Sequence, residues 1–405
     1  MSVSNDLNYN FTQGLDGSES RSFAVMPNNG STQSAGGIIR MTLPRESNGY
    51  LNPAFTTLKF SINNTDDDTV MSVGLATDAI QSMSIYSGSS LIEYVDGVNF
   101  LQPILQAAGG QNAEAAYTGM ENILMGAAGT SAVPTGLTIA AGAKHTYCVP
   151  LSFSGVLGGG NSRFLPLDAD LRVEFMISQK VNMVKCAAGN TGTPTITDIQ
   201  MDIQIVSLPF SVAESIRFAN GGQIVIGSKQ YRHYSAASAG SEASQSIVLP
   251  VRATDVLSLL VSHNNLDGTQ TALSTLNRGR CNLTQYQFRV GSQQRPSVAP
   301  TSDEEQFAHF QSAWHGVGDP SVGKPISRTT WAIDTSADSA VGSYVSALEL
   351  ESFSHQAKIQ RGVDTNNLTV FYEPRYSSSV ASTLHMYSYI LCKLVLQDGV
   401  YSLLV

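Results

Sequence analysis

The segment Tyr147–Ile177 restricts the possible fold more than any other part of this sequence, because it predicts two β-strands joined by a glycine-rich loop. Its first part, Tyr147–Phe153, is apolar and β-prone. Gly155 and Gly158–Gly160 interrupt that run. In Leu171–Ile177, leucine, valine, phenylalanine and isoleucine alternate with other side chains, which is the two-residue period of a strand. The segment therefore predicts an all-β architecture.

Similar β-prone runs occur throughout the chain, separated by turn residues such as Asn48-Gly49. Three runs with near-helical spacing of apolar residues interrupt them, at Val95–Ala108, Asn112–Gly126 and Asp303–Trp314. The predicted strands are Gly37–Leu43, Phe55–Ile62, Thr69–Ala76, Gln81–Tyr86, Ser90–Tyr94, Ala143–Phe153, Leu171–Gln179, Asp198–Leu208, Gln223–Tyr234, Gln245–Arg252, Val256–His263, Gln285–Ser292, Ser327–Ile333, Tyr344–Phe353, Asn367–Tyr372, Thr383–Gln397 and Tyr401–Val405.

The length of the chain and the spacing of these strands favour two jelly rolls. A chain of 405 residues is long for one all-β domain, so two domains of about 200 residues each are expected. Immunoglobulin-like sandwiches have shorter loops, and a single closed barrel would show more regular spacing. The predicted fold is therefore all-β, with two tandem eight-stranded jelly rolls (a double jelly roll) and short helical insertions.

The boundary between the two domains is predicted at Pro209–Gly222. Ser211 and Glu214 have the spacing of a capping box, which indicates a short helix through Phe218, and Gly221-Gly222 would end it. The expected domains are an N-terminal arm over residues 1–36, a first jelly roll over 37–208, a linker with a short helix over 209–222, and a second jelly roll over 223–405.

Residues 1–36 are polar and rich in Ser, Asn and Gly, which is typical of an arm or a loosely ordered lead-in. Two interpretations stay open for them: an arm that orders on assembly, against a neighbouring molecule or a membrane, or a frayed terminus. They lack a basic region followed by an apolar one, so no secretory signal is expected. No transmembrane helix is expected either, because about 18 consecutive apolar residues are nowhere found.

The charge content is low. Charged residues make up 14% of the chain, against a usual value of about 25%. Low charge suits a tightly packed assembly, since few ionic groups lose water at the contacts, but it also suits a β-rich protein with long polar loops. The net charge is −9 and basic residues do not cluster, so no specific nucleic-acid binding is expected.

The four cysteines are scattered, which predicts buried free thiols in a protein made in a reducing compartment. They are Cys148, Cys186, Cys281 and Cys392.

No residue set in the sequence predicts a metal or cofactor site. His309 and His315 are six positions apart, on different faces of a helix, and no closely spaced histidines with a following glutamate suggest a cupin. Histidines in strands, namely His145, His233 and His385, are expected to be hydrogen-bonded or on the surface. Asp66-Asp67-Asp68 lacks the spacing of a calcium loop and predicts a solvated hairpin turn.

The sequence also offers no catalytic or phosphate-binding motif. The glycines at 158–160 are followed by Asn161-Ser-Arg163 and another strand, whereas a phosphate-binding loop needs a Lys-Ser or Lys-Thr pair and a helix. No Gly-x-Ser-x-Gly motif is present. No catalytic, cofactor-binding or metal-binding residues are therefore assigned, and an enzyme is not expected. Five aromatic residues could line a carbohydrate site but are more typical of core or contact positions: Tyr231, Tyr234, Tyr286, Trp314 and Trp331.

Two parts of the sequence resemble a known family. Val149-Pro150-Leu151, followed by Ser154–Gly158 and then Phe164-Leu165-Pro166-Leu167, is similar to a motif of double jelly-roll major capsid proteins, in particular those of polinton-like viruses and virophages. Gln287–Ser292 followed by Pro296 resembles their second jelly roll. The resemblance extends over most of the chain from about residue 37.

This resemblance implies a viral major capsid protein without catalytic residues. Three chains would form a homotrimeric capsomer of pseudo-hexagonal outline, and neighbouring capsomers would tile an icosahedral shell. The implied partners are penton and minor capsid proteins and an internal lipid membrane. The implied location is the virion capsid, after synthesis in the host cytoplasm or at the viral assembly site. A carbohydrate-binding jelly-roll module of a viral spike or fibre is the alternative function.

Overall fold

A computed structural model of the chain describes residues 17–66, 69–105, 137–158, 163–186, 192–219, 221–265, 275, 278–315, 331, 344–352, 361–378 and 380–405. The α-helices among these residues include α1 (residues 98–105), α2 (Lys180–Met183), α3 (Phe210–Ala219) and α4 (Asp303–His315), and Ala76–Ala79 forms a short 3-10 helix. No helix among these residues is long and apolar enough to span a membrane.

The first half of the chain forms three antiparallel sheets. Their strands are β1 (Glu19–Val25), β2 (Gln33–Ser34), β3 (Ile38–Thr42), β4 (Gly49–Asn63), β5 (Met71–Val73), β6 (Ile80–Ser87), β7 (Ser90–Asp96), β8 (Leu137–Ile139), β9 (Lys144–Pro150), β10 (Leu165–Pro166), β11 (Leu171–Ile177), β12 (Lys185–Cys186) and β13 (Thr195–Ser207). The largest sheet has the strand order β1-β13-β4-β10, with β2 paired to β13 and β9 paired to β4. The second sheet has the order β3-β11-β6-β7, and the small third sheet has the order β12-β5-β8.

The second half forms two antiparallel sheets. Their strands are β14 (Gln223–Ser238), β15 (Ile247–Leu249), β16 (Val256–Asn264), β17 (Leu283–Val290), β18 (Gln293–Arg295), β19 (Ser346–Glu349), β20 (Val370–Tyr376), β21 (Ser382–Gln397) and β22 (Val400–Leu404). One sheet has the strand order β14-β21-β16-β19, with β22 paired to β21, and the other has the order β15-β20-β17-β18. Among the described strands, each pairing stays within one half.

Apolar residues that alternate with other residues in the sequence are buried on one face of their strand. In β11, Leu171, Val173, Phe175 and Ile177 are buried, and the residues between them are not. β13 shows the same pattern at Ile199, Met201, Ile203 and Ile205. The buried faces of both halves join one continuous hydrophobic core. The predicted strands therefore have the expected inward faces.

The prediction of an arm over residues 1–36 is wrong for the residues of this range that the structure describes, 17–36. Glu19–Val25 forms β1 and pairs with β13 along its whole length, from Glu19 opposite Ser207 to Val25 opposite Met201. The polar composition misled the prediction, because only Val25 of this strand is buried. A strand held by backbone hydrogen bonds alone needs no apolar alternation. Residues 1–16 lie outside the described residues.

The predicted helices have mixed outcomes. Asp303–Trp314 is confirmed as α4. The run Val95–Ala108 is helical only from residue 98, since β7 extends to Asp96 and Gly97 adopts a φ of 62° between the two elements. The helix predicted at Asn112–Gly126 lies outside the described residues, as does the strand Ser327–Ile333 apart from Trp331.

The predicted capping box of α3 is absent. The helix begins at Phe210, so Ser211 lies inside it. The carbonyl oxygen of Pro209 accepts the backbone N–H groups of Val212 and Ala213, which places the helix start before the predicted cap.

Candidate functional site

The two halves meet along β7, β14 and β22, and buried hydrogen bonds cross this junction. Tyr387 Oη donates to the carbonyl oxygen of Gly97 at 2.7 Å. Tyr401 Oη donates to the carbonyl oxygen of Pro166 at 2.8 Å. In both bonds the donor lies in the second half and the acceptor in the first. Because an unpaired buried polar group is costly, these bonds hold the halves in one relative position.

The predicted glycine-rich loop lies at this junction. A Cβ atom on Gly155 would lie 1.9 Å from the carbonyl oxygen of Lys229 in β14, so only glycine fits there. Buried Glu93 of β7 anchors the loop: its carboxylate accepts the hydroxyl of Ser154 and the backbone N–H of Gly155, both at 2.6 Å, and that of Val156 at 3.2 Å. Burial raises the pKa of Glu93 to about 7, although the three hydrogen bonds lower it. The loop is thus a structural contact between the halves.

Three titratable side chains are linked by successive hydrogen-bond contacts across the same junction. Asp96 Oδ2 lies 3.2 Å from His233 Nδ1, and His233 Nε2 lies 3.1 Å from His385 Nδ1. His385 stacks on Phe100 with ring centroids 3.8 Å apart. Burial and the nearby charge of His233 lower the pKa of His385 to about 3. Burial alone would raise the pKa of Asp96, but the hydrogen bond and charge of His233 lower it below its usual value.

These contacts were not predicted as a set. His233 and His385 are 152 positions apart in the sequence, and the pairing of β14 with β21 brings them together. The prediction that strand histidines are hydrogen-bonded is confirmed for both. It also fits His263, whose Nε2 lies 3.2 Å from the hydroxyl of buried Tyr372. His145 packs edge-on against Tyr147.

The other residues that were considered for metal or phosphate binding do not form a reactive site in the part of the chain that the structure describes. Within it, no three His, Cys, Asp or Glu side chains come together as metal ligands. Asp66 accepts the backbone N–H of Thr69 at 2.8 Å and that of Gly192 at 3.2 Å, and therefore stabilises a turn. Asp67 and Asp68, Gly159 and Gly160, His355 and the side chain of His315 lie outside the described residues.

The cysteines are free thiols, as expected. Cys186, Cys281 and Cys392 are buried. Cys148 is only half-buried, so the prediction of burial is wrong at this position. β9, which contains Cys148, pairs with β4, and Tyr147 and Val149 on either side of it point into the core.

The aromatic residues considered for carbohydrate binding belong mainly to the core. Trp331 and Tyr286 are fully buried and Tyr231 is 5% exposed, which confirms the core interpretation for these three. Trp331 packs against Tyr344, with ring centroids 4.6 Å apart. Tyr234 is half-buried, and the side chain of Trp314 lies outside the described residues. A carbohydrate site built on the three buried rings is excluded.

An apolar surface lies beside α3, where the two halves join. We call the cavity there the α3 groove; its volume is about 350 Å³. Ser18, Tyr50, Arg163, Phe164, Pro166, Val206, Leu208, Ile216, Ile224 and Ile226 line it. On the outer face of α3, Phe210 and Phe218 are 66% and 77% exposed. Such an exposed apolar region marks an interaction surface.

Comparison with known proteins gives structural but no sequence matches. No family model matches the chain, and no curated protein matches it by sequence. The PBCV-1 capsid protein VP54, as fitted into a reconstruction of the virophage Sputnik, has a TM-score of 0.69 at 11% identity, with 98% of this chain and 99% of that chain covered.

Two further structures agree over nearly the full length. The Faustovirus major capsid protein has a TM-score of 0.65 at 8% identity, with 98% of this chain and 92% of the other covered. The mavirus major capsid protein has a TM-score of 0.54 at 10% identity, with 100% and 95% covered. This chain therefore has the double jelly-roll fold found in major capsid proteins of PBCV-1, Faustovirus, the Sputnik virophage and mavirus.

Proposed function

We propose that this protein is a viral major capsid protein that forms pseudo-hexagonal homotrimeric capsomers and tiles an icosahedral shell. The observation that carries the proposal is the fold: two jelly rolls in one chain, matched end to end by the PBCV-1 protein VP54 at 98% coverage. A double jelly roll offers two similar β-domains side by side, so three chains present six of them around one axis. That arrangement yields a near-hexagonal outline from a threefold assembly.

The junction supports the same role. Tiling requires each chain to be a unit of fixed shape, because small rotations between its halves would accumulate across a shell. Hydrogen bonds from Tyr387 and Tyr401, and the close approach of Gly155 to Lys229, restrict such rotation. These contacts are buried polar or backbone contacts, which tolerate little displacement.

The domain organisation belongs to this proposal. We place the first jelly roll over 37–208 with β1 added to its larger sheet, a linker with α3 over 209–222, and the second jelly roll over 223–405. Neighbouring capsomers, penton and minor capsid proteins and an internal lipid membrane are the proposed partners. The proposed location is the virion capsid, with synthesis in the host cytoplasm or at the assembly site, and the proposed role is structural rather than enzymatic.

Light scattering of the purified protein tests the proposal. A mass of three 43.1 kDa chains is expected, and electron micrographs of the same sample are expected to show hexagonally outlined particles. A mass of one chain at every concentration would contradict a capsomer. Binding of that monomer on a glycan array would instead support the carbohydrate-binding alternative.

A further inference from the structure

The two halves of the chain repeat one order of strands. The eight main strands of the first half are β1, β3, β4, β6, β7, β9, β11 and β13, and those of the second half are β14 to β21. When the strands are numbered along each half, both halves have one sheet of order 1-8-3-6 and one of order 2-7-4-5. By this numbering β1 corresponds to β14, and β7 corresponds to β18.

The junction inside the chain joins the fifth strand of the first half to the first strand of the second half. β7 packs on β14. Gln230 Nε2 of β14 donates to the carbonyl oxygen of Ile92 of β7 at 2.9 Å. Further along both strands, Asp96 Oδ2 of β7 lies 3.2 Å from His233 Nδ1 of β14. β7 and β14 therefore lie side by side and run in the same direction.

The two corresponding strands, β1 and β18, are edge strands with exposed apolar residues beside them. Among the described strands, β1 pairs only with β13 and β18 only with β17. Phe23 of β1 is 44% exposed, Met26 just after it 58%, and Val298 just after β18 78%. In β7, by contrast, Ile92 and Val95 are fully buried. Exposed apolar residues of this size indicate a surface that another chain covers.

The charges on β1 and β18 are complementary. Glu19 begins β1 and Arg295 ends β18, and neither forms an ion pair within the described residues. On the same face of β1, Phe23 follows four residues after Glu19, while Val298 follows three residues after Arg295. Arg21 between them is already paired with a glutamate of its own chain. Two strands that run in the same direction would thus bring together the opposite charges and the apolar residues.

We propose that β18 of one chain packs on β1 of the next chain around the threefold axis of the capsomer, with Arg295 beside Glu19 and Val298 beside Phe23. The inference rests on the proposed homotrimer and names its interface. Contacts of β7 with β14 within chains then alternate with contacts of β18 with β1 between chains. Six jelly rolls would close a ring through one repeated kind of contact. Because β18 and β1 are different surfaces, the interface is heterologous and three copies complete it.

Thiol cross-linking of the full chain tests this placement. In Glu19→Cys/Arg295→Cys, a short bismaleimide is expected to join neighbouring chains, so that covalent trimers appear on a denaturing gel. Glu19→Cys/Val248→Cys is the matched control, since Val248 is also exposed but lies in β15, at the opposite edge of the sheet that contains β18. Few covalent trimers are expected from it.

The outcomes of the cross-linking separate the interface from the homotrimer itself. Links within one chain, equal linking in the control, or unlinked chains in a sample that light scattering shows to be trimeric would overturn the interface and leave the homotrimer in place. A sample that scatters as a monomer at every concentration would overturn both.

Exchange of the two charges tests the pairing of Glu19 with Arg295. Glu19→Arg and Arg295→Glu are each expected to raise the dissociation constant of the trimer about tenfold, because like charges then meet at all three contacts. The double variant Glu19→Arg/Arg295→Glu restores opposite charges and is expected to dissociate like the unaltered protein. Analytical ultracentrifugation measures these constants. Single variants that behave like the unaltered protein, or a double variant weaker than both, would contradict the pairing.

Discussion

At the residue scale, Gly155 occupies a place where the backbone of β14 leaves no room for a side chain. The sequence predicted a turn there and nothing more. The structure shows that the constraint comes from Lys229, whose carbonyl oxygen lies 74 positions further along the chain. Local sequence contains no signal for such an approach, because the two segments meet only after both halves have folded.

Gly155→Ala is therefore expected to lower the free energy of unfolding by about 1–3 kcal/mol, through overpacking at the junction. Gly227→Ala is the matched control, since nothing lies within 4 Å of the Cβ that it would add in β14. Alanine there is expected to be neutral or slightly stabilising. Urea unfolding of both variants measures the difference, and equal midpoints would count against a tight contact at Gly155.

The low pKa of His385 leads to a second prediction, which concerns how the free energy of unfolding depends on pH. Its pKa is about 3 in the folded protein and about 6.5 in the unfolded chain, so below pH 6.5 the unfolded chain binds the extra proton. The contribution of His385 to the free energy of unfolding is therefore lost as pH falls from 6.5 towards 3, by about 1 kcal/mol per pH unit between pH 6 and pH 4. Glu93 and Asp78, with pKa values raised to about 7 and about 8 by burial, act in the opposite direction.

Comparison with His385→Gln isolates the histidine contribution, because the other two groups are common to both proteins. The difference in unfolding free energy is expected to shift in favour of the variant as pH falls from 6 to 4. Denaturant unfolding at several pH values measures this shift. Parallel stability curves for the two proteins would show that His385 does not hold its low pKa.

At the element scale, two Ser-x-x-Glu sequences precede or enter helices, and only one of them caps a helix. Ser302 accepts the N–H of Glu305 at 3.2 Å, and the Glu305 carboxylate accepts the N–H groups of Ser302 and Thr301. This is a complete capping box at the start of α4. The predicted box at Ser211 fails because Pro209 starts α3 earlier. The motif alone cannot tell the two apart, since the path of the chain before the helix decides where its first turn begins.

Ser302→Ala is expected to destabilise the protein by about 1 kcal/mol, because N–H groups at the start of α4 lose their acceptor. Ser211→Ala removes the equivalent serine from α3, where it caps nothing, and a change of less than about 0.5 kcal/mol is expected. Thermal unfolding of the two variants provides the measurement. A larger loss for Ser211→Ala than for Ser302→Ala would contradict the assignment.

At the scale of the whole molecule, the two jelly rolls share one hydrophobic core and several buried hydrogen bonds. Tandem domains joined by a linker commonly move relative to each other unless their interface is large and apolar. The pairings of the strands that the structure describes stay within each half, but β7 of the first half packs on β14 and β22 of the second. The sheets thus divide the chain into two units, whereas the shared core packs these units into one body.

A single cooperative unfolding transition is therefore expected. Calorimetry measures it: the calorimetric and van't Hoff enthalpies are expected to agree for the dissociated chain. Gly155→Ala, which acts at the junction, is expected to lower that one midpoint and leave the transition single. Two separated transitions, one for each half, would show that the junction does not couple them.

The class of fold could be predicted from local sequence signals. Alternation in Leu171–Ile177 and in β13 predicts strands with one buried face, and the length predicts two domains, because these signals depend on neighbouring residues and on composition alone. Contacts between distant positions could be read only from the folded chain: Gly155 with Lys229, Asp96 with His233 and His385, and β1 with β13. These contacts join positions far apart in the chain, and packing selects them only once each strand has a partner.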